Sequence, residues 1–131
     1  MHDAYFETRF KSPGLSTALP PEFAIITAFA TTGETWSQEE NESADEKLRI
    51  HLESQSCWMH RMTGYSPSSG HAESGWAVGL AFDVACDIGI LFKQDAIYFI
   101  IEDQLYVSFC DHRRDLISVD RFSERLDAAG S

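Results

Sequence analysis

Apolar residues in this chain gather in short runs separated by polar breaks, most clearly between Phe92 and Cys110, FKQDAIYFIIEDQLYVSFC. Ala96 to Ile101 is an unbroken apolar run, and Leu105 to Phe109 is a second, rich in β-branched and aromatic residues. Glu102, Asp103 and Gln104 between them predict a tight, solvated turn. The stretch therefore reads as a β-hairpin whose first strand is covered on both faces. Phe23 to Ala30, FAIITAFA, reads as another strand apolar on both faces, hence central.

Other segments alternate or repeat with longer periods. Tyr5 to Phe10 predicts a short edge strand, broken off by Ser12-Pro13-Gly14 and by Leu19-Pro20-Pro21-Glu22. Thr31 to Trp36 reads as a turn. Ser37 followed by Glu40 forms a capping box that starts a helix. Acids in its first two turns suit the positive end of the helix dipole. Ala44, Leu48 and Leu52 recur every four residues and mark the buried stripe, on which Asn41 also lies. The helix is expected to end near Gln55 or Ser56.

Cys57 to Tyr65 reads as a strand, Ser66 to Gly70 as a flexible connection, and Glu73 to Leu80 as a strand with Trp76, Val78 and Leu80 on one face. Asp83 is placed to cap a second helix, with Val84, Ala85, Ile88, Leu91 and Phe92 on its apolar side. After the hairpin come a polar loop, a short strand at Leu116 to Val119, a helix at Asp120 to Leu126 and a fraying end from Asp127.

After the first strand the order is β-α-β-β-α-β with an added hairpin strand. This predicts an α+β fold: a mostly antiparallel sheet with two main helices on one face, as a ferredoxin-like or related two-layer sandwich. At 131 residues the chain is the size of one domain. Residues 1–22 would be an edge strand and Pro-rich loop, 23–110 the core and 111–131 a C-terminal extension.

Composition narrows the function classes. Apolar residues are 44% of the chain and aromatics 12%, as in folded globular proteins. No apolar run nears the roughly 20 residues of a membrane span, and the N-terminus lacks a secretory pattern. A cytoplasmic protein that does not engage membranes is expected. The net charge is −11, and Ser12 to Glu46 holds seven acids without a Lys or Arg. Such a field repels phosphate backbones, which disfavours nucleic acid. Cys57, Cys86 and Cys110 are an odd, widely spaced set, whereas a disulfide framework would use an even number at closer spacing, and the last two read as small buried hydrophobes.

From Phe23 onward the residues carry a resemblance. An apolar strand FAIITAF leads to a helix with an early Asn41, a Gly-containing strand, Glu73-Ser74 before a strand, a second helix and Phe92-Lys93-Gln94-Asp95-Ala96-Ile97. This pattern resembles a family of short bacterial proteins, the domain of unknown function 3293, over roughly Tyr5 to Cys110. Its most specific element is FxQDAI after an amphipathic helix. Where the family strand continues into Asn-Pro, this chain has Ala30-Thr31. The resemblance implies a compact bacterial cytosolic domain and no particular mechanism. Its polar positions here are Asn41, Glu73 and Gln94.

Chemistry-bearing motifs are fragmentary. His71-Ala72-Glu73 matches half of the zinc deaminase signature, but Pro-Cys-x-x-Cys is missing. Cys57 and His60 have half-site spacing without a second pair, so no metal or other cofactor is expected. Cys110 and His112 are close in sequence, but a nucleophilic thiol needs contact that strand geometry does not supply. Thr31-Thr32-Gly33 before a helix has the position of an anion site, yet Glu34, Glu39 and Glu40 surround it.

Two functional expectations remain. In the first, the protein is a non-enzymatic binding or inhibitory module of the bacterial or phage cytosol. Glu39, Glu42 and Glu46 would then form an acidic helix face toward a basic protein partner. In the second, Asn41, Glu73 and Gln94 meet, because buried polar groups are usually paired. With His71 they would make the site of a small enzyme or ligand-binding domain.

Overall fold

A computed structural model describes residues 1–15, 19–30 and 35–127. A 3-10 turn at Asp3–Phe6 precedes strand β1 (Arg9–Lys11) and strand β2 (Glu22–Thr27). Helix α1 (Gln38–Glu53), strands β3 (Met59–Tyr65) and β4 (Ala72–Val78) and helix α2 (Phe82–Leu91) follow. Strands β5 (Ala96–Ile101), β6 (Gln104–Phe109) and β7 (Ile117–Arg121) and the short helix α3 (Phe122–Arg125) complete the described chain. The fold is α+β. Seven strands form one antiparallel sheet in the order β1-β3-β4-β2-β5-β6-β7, with β2 at its centre.

The sheet curls into a half-barrel. Beyond β7 and α3 the chain returns to the opposite edge, where Leu126 forms a parallel bridge with Phe10 and the Asp127 amide donates to the Phe10 carbonyl at 2.8 Å. Asp127 is anchored further by Arg9 and Tyr65, so the end expected to fray from this residue is tied down here. Residues 128–131 lie outside the described residues.

Alternation along the strands separates two cores. Ala24 and Ile26 of β2 join Ile97 and Phe99 of β5, Val78 of β4, Leu48 and Leu52 of α1, and Ala85, Cys86 and Ile88 of α2. On the other, concave side, Phe23 and Ile25 join Tyr98 and Ile100, Met62, Ala77, Leu105, Val107, Phe10 and Phe122. The layered expectation accounts for the first core only. The second arises because the curl folds the sheet's own inner face together, with Phe10 and Phe122 ring centroids 5.6 Å apart.

Local structure follows the sequence closely in α1. Ser37 accepts from the Glu40 amide, and the Glu40 carboxylate accepts from the Ser37 amide. Leu48 and Leu52 are fully buried. The hairpin forms too, but with a two-residue turn. Gln104 pairs with Ile101, and Glu102 and Asp103 take φ of 44° and 71°, the left-handed pair that matches strand twist. The Asp103 carboxylate accepts from the Ser123 amide and hydroxyl, which hold the turn to α3 and keep that carboxyl below its ordinary range.

Three further readings change. The stretch Tyr5 to Phe10 is strand only from Arg9, since Tyr5 and Phe6 complete the 3-10 turn. Asp83 is not the cap of α2: Ala81 occupies the N-cap without a side-chain bond, while Asp83 pairs with Arg114. The apolar side of α2 is also rotated. Val84 and Leu91 are 40% and 62% exposed, and Cys86 and Gly89 are buried in their place. A Cβ on Gly89 would stand 2.6 Å from Cys110 Sγ, so the helix packs on its smallest residues.

Candidate functional site

A cleft of about 510 Å³ lies where the end of β2, the start of β5, the β3–β4 connection and the N-terminal turn come together. Asn41, His71, Glu73 and Gln94 all line it. They come from separate parts of the chain: α1, the entry to β4, β4 itself, and the link from α2 to β5. The expected direct meeting of Asn41, Glu73 and Gln94 is replaced by an indirect one. Thr27, the last residue of β2, stands between Glu73 and Gln94, and the backbone beyond β2 joins Gln94 to Asn41.

Gln94 fixes the polarity of this network. Its Nε2 donates to the carbonyls of Phe29 at 2.8 Å and Phe92 at 3.2 Å. Its Oε1 therefore faces the Thr27 hydroxyl at 3.1 Å and must accept from it. Asn41 Oδ1 accepts from the Ala30 amide at 3.0 Å. These two amides secure the chain just beyond β2, as a structural network would.

Glu73 is left differently. Its Oε1 is 3.4 Å from the same Thr27 hydroxyl, whose single hydrogen Gln94 already takes. Its Oε2 stands 3.1 Å from Nε2 of His71. The His71-Ala72-Glu73 spacing that suggested a deaminase half-motif is strand spacing, and it puts both side chains on one face of the sheet. The Glu73 side chain is 29% exposed and that of His71 69%, so this carboxylate is half-buried with a solvated imidazole at its rim.

Around these groups the walls are largely aromatic. Tyr5, Phe10, Phe29, Trp36, Tyr65 and Tyr98 are among the residues that line the cleft. The Tyr98 hydroxyl donates to the Tyr5 carbonyl at 2.7 Å, and burial pushes its phenol well up. Tyr65 donates to Asp127 at 2.6 Å. Sequence reasoning missed Thr27 and the aromatic wall. The signal for Thr27 was present, since it is the one hydroxyl inside FAIITAFA. The aromatics come from the N-terminal turn, β1, β3, β5 and the residues just beyond β2 and just before α1, and no local pattern links them.

The other sequence candidates fall apart in space. Cys57 is half-buried with Sγ toward the Leu52 carbonyl, whereas His60 reaches the Pro13 carbonyl at 3.3 Å. Among the described residues no three His, Cys, Asp or Glu side chains converge as metal ligands would. Cys110 is buried against Cys86, which raises the Cys110 thiol and lowers that of Cys86, while His112 is exposed. Residues 31–34, including Thr31-Thr32-Gly33, lie outside the described residues.

Glu39, Glu42 and Glu46 are exposed on α1. Glu46 is drawn into an ion pair with Arg49, which also holds Glu53 at 2.6 Å and keeps Glu46 below its ordinary range. Nearby, Arg61 binds Asp45 through two contacts of 2.9 Å and lies 3.9 Å over the Trp76 ring. Glu42 accepts from Gln38 at 2.9 Å. Among the described residues, Glu39 and Glu42 have no cationic partner. No helix among them is long and apolar enough to cross a membrane.

A family model described as "Protein of unknown function (DUF3293)" matches residues 26–97, more than half of the chain. The matched span contains Thr27, Asn41, His71, Glu73 and Gln94. No curated protein and no solved structure matches the chain.

Proposed function

The chain belongs to the DUF3293 family, and on that premise we propose that it is a small-molecule-binding domain whose site is the cleft at the end of β2. The observation that carries this reading is the convergence of Asn41, His71, Glu73 and Gln94 on one cleft of about 510 Å³. Ligand sites of roughly 300–1,000 Å³ are usually apolar or aromatic hollows with a few placed polar groups. Aromatic walls around a half-buried carboxylate have that form. His71 beside Glu73 also offers a proton path, so a small enzyme stays within this reading. In the same reading, the domain is cytosolic, and β2, β3, β4 and β5 with α1 and α2 form a ferredoxin-like unit extended at both edges.

A fragment screen by amide-resonance shifts on the full chain tests it. Hits should perturb Trp36, Tyr65, Glu73 and Gln94 together. Hits that map elsewhere, or none at millimolar concentration, would overturn the proposal.

The acidic face of α1 supports a second reading, a docking surface for a basic protein. Glu39 and Glu42 favour it because they have no cationic partner among the described residues, whereas Glu46 is engaged by Arg49. Binding of a basic partner that collapses with added salt would support it.

A further inference from the structure

The chemistry of the cleft's occupant follows from what lines it. Among the described residues no Lys or Arg lines the cleft, whereas Glu73 and Asp95 both do. An anion would meet these carboxylates, and the described lining residues oppose them with His2 and His71 alone, while Lys11 is engaged over the Tyr65 ring and Arg125 with the Thr8 carbonyl. Glu73 Oε1 faces a Thr27 hydroxyl whose hydrogen is committed to Gln94, so this half-buried oxygen has acceptor capacity to spare. Aromatic residues line the cleft around it, Phe29 and Trp36 among them, and aromatic faces attract cations; the Tyr65 ring is already covered by Lys11 Nζ at 4.6 Å.

We propose that the cleft takes an organic cation, an amine, amidine or guanidine on an apolar or flat body, with its N–H donors meeting Glu73. This rests on the cleft being a ligand site. The cation supplies the donor that Thr27 cannot, and the aromatic wall holds its body. A carboxylate ligand would instead leave Glu73 facing like charge in a partly desolvated place.

The test uses aromatic fragments in matched forms, for example tryptamine, indole-3-propionate and 3-methylindole, titrated into the full chain with amide-resonance shifts as the readout. Amine forms should bind at the cleft at least roughly tenfold tighter than their carboxylate counterparts, the effect of one charge-assisted hydrogen bond. Glu73→Gln should remove that preference and leave the neutral form unchanged. Glu22→Gln, which removes an exposed charge at the far end of β2 from Thr27, should retain the preference.

Equal affinity, or tighter carboxylates, would overturn the cation assignment and leave the cleft reading standing. A preference that survives Glu73→Gln would also overturn it, because the protein's general negative charge would then be its source. If no form shifts cleft resonances, the cleft reading itself fails. The wild-type comparison decides between cation and anion even where the Glu73 variant does not fold.

Discussion

The Thr27 hydroxyl lies 3.1 Å from Gln94 Oε1 and 3.4 Å from Glu73 Oε1, and the orientation of the Gln94 amide gives its one hydrogen to the first of these. Thr27→Val keeps the shape and removes that donor. Gln94 Oε1 would then be half-buried without its partner, which costs about 1–3 kcal/mol. Denaturant melts should show that loss, and Thr27→Ser should recover most of it. Equal stability of the valine variant would show that the network is not closed as described.

Gly75 pairs with Thr27 across the β2–β4 ladder. A Cβ there would stand 2.4 Å from the Ile26 carbonyl oxygen and 2.7 Å from the Thr27 methyl. Backbone cannot give way as a side-chain tip can. Gly75→Ala should therefore cost about 1–3 kcal/mol, as overpacking does, and should shift the resonances of Glu73 and Gln94. A neutral substitution would mean that the two strands separate at little cost.

Phe99 is 2% exposed, and its ring meets that of Phe82 with centroids 5.5 Å apart. Ile97 shares the same core with α2. Phe99→Ala should cost about 3–5 kcal/mol and Ile97→Val about 0.5–1.5 kcal/mol, read by denaturant melts. An unchanged curve for Phe99→Ala would refute the placement of α2 on β5.

Asp127 is held ionised first by the Tyr65 hydroxyl and then by Arg9, so its carboxyl titrates below the ordinary range. A depressed folded value stabilises the protein above the unfolded value, about 3.9. That contribution is lost as pH falls through the folded value. Wild type should therefore melt higher than Asp127→Asn by a constant margin from about pH 5 to 8, and the margin should shrink below about pH 4. A margin that grows on acidification would contradict the assigned bonds.

The acidic face of α1 calls for charge reversal. Glu39→Lys, Glu42→Lys and Glu46→Lys together leave the Ser37–Glu40 capping box untouched. Thermal melting should show the fold intact, since all three side chains are exposed. If a basic partner docks here, its association rate should drop and lose its salt dependence. Retention of partner binding by this variant would remove the second reading and leave the cleft.

By itself the sequence determined those elements whose signals are local. The Ser37–Glu40 box, the Leu48–Leu52 stripe and the Ala96–Phe109 hairpin are set by neighbours a few residues apart, and each forms. Buried polar accounting also singled out Asn41, Glu73 and Gln94, because an apolar neighbourhood makes an unpaired amide or carboxylate costly. The mediator of their meeting was a matter for the tertiary structure. Thr27 reaches Glu73 and Gln94 only because β2 lies between β4 and β5. The same holds for the concave core. Phe10 and Phe122 are brought together by the curl of seven strands, a property of cumulative twist that no local pattern encodes. The rotation of α2 was decided in the same way, since Gly89 and Cys86 face the sheet where close approach to Ile97 and Cys110 outweighs burying Leu91.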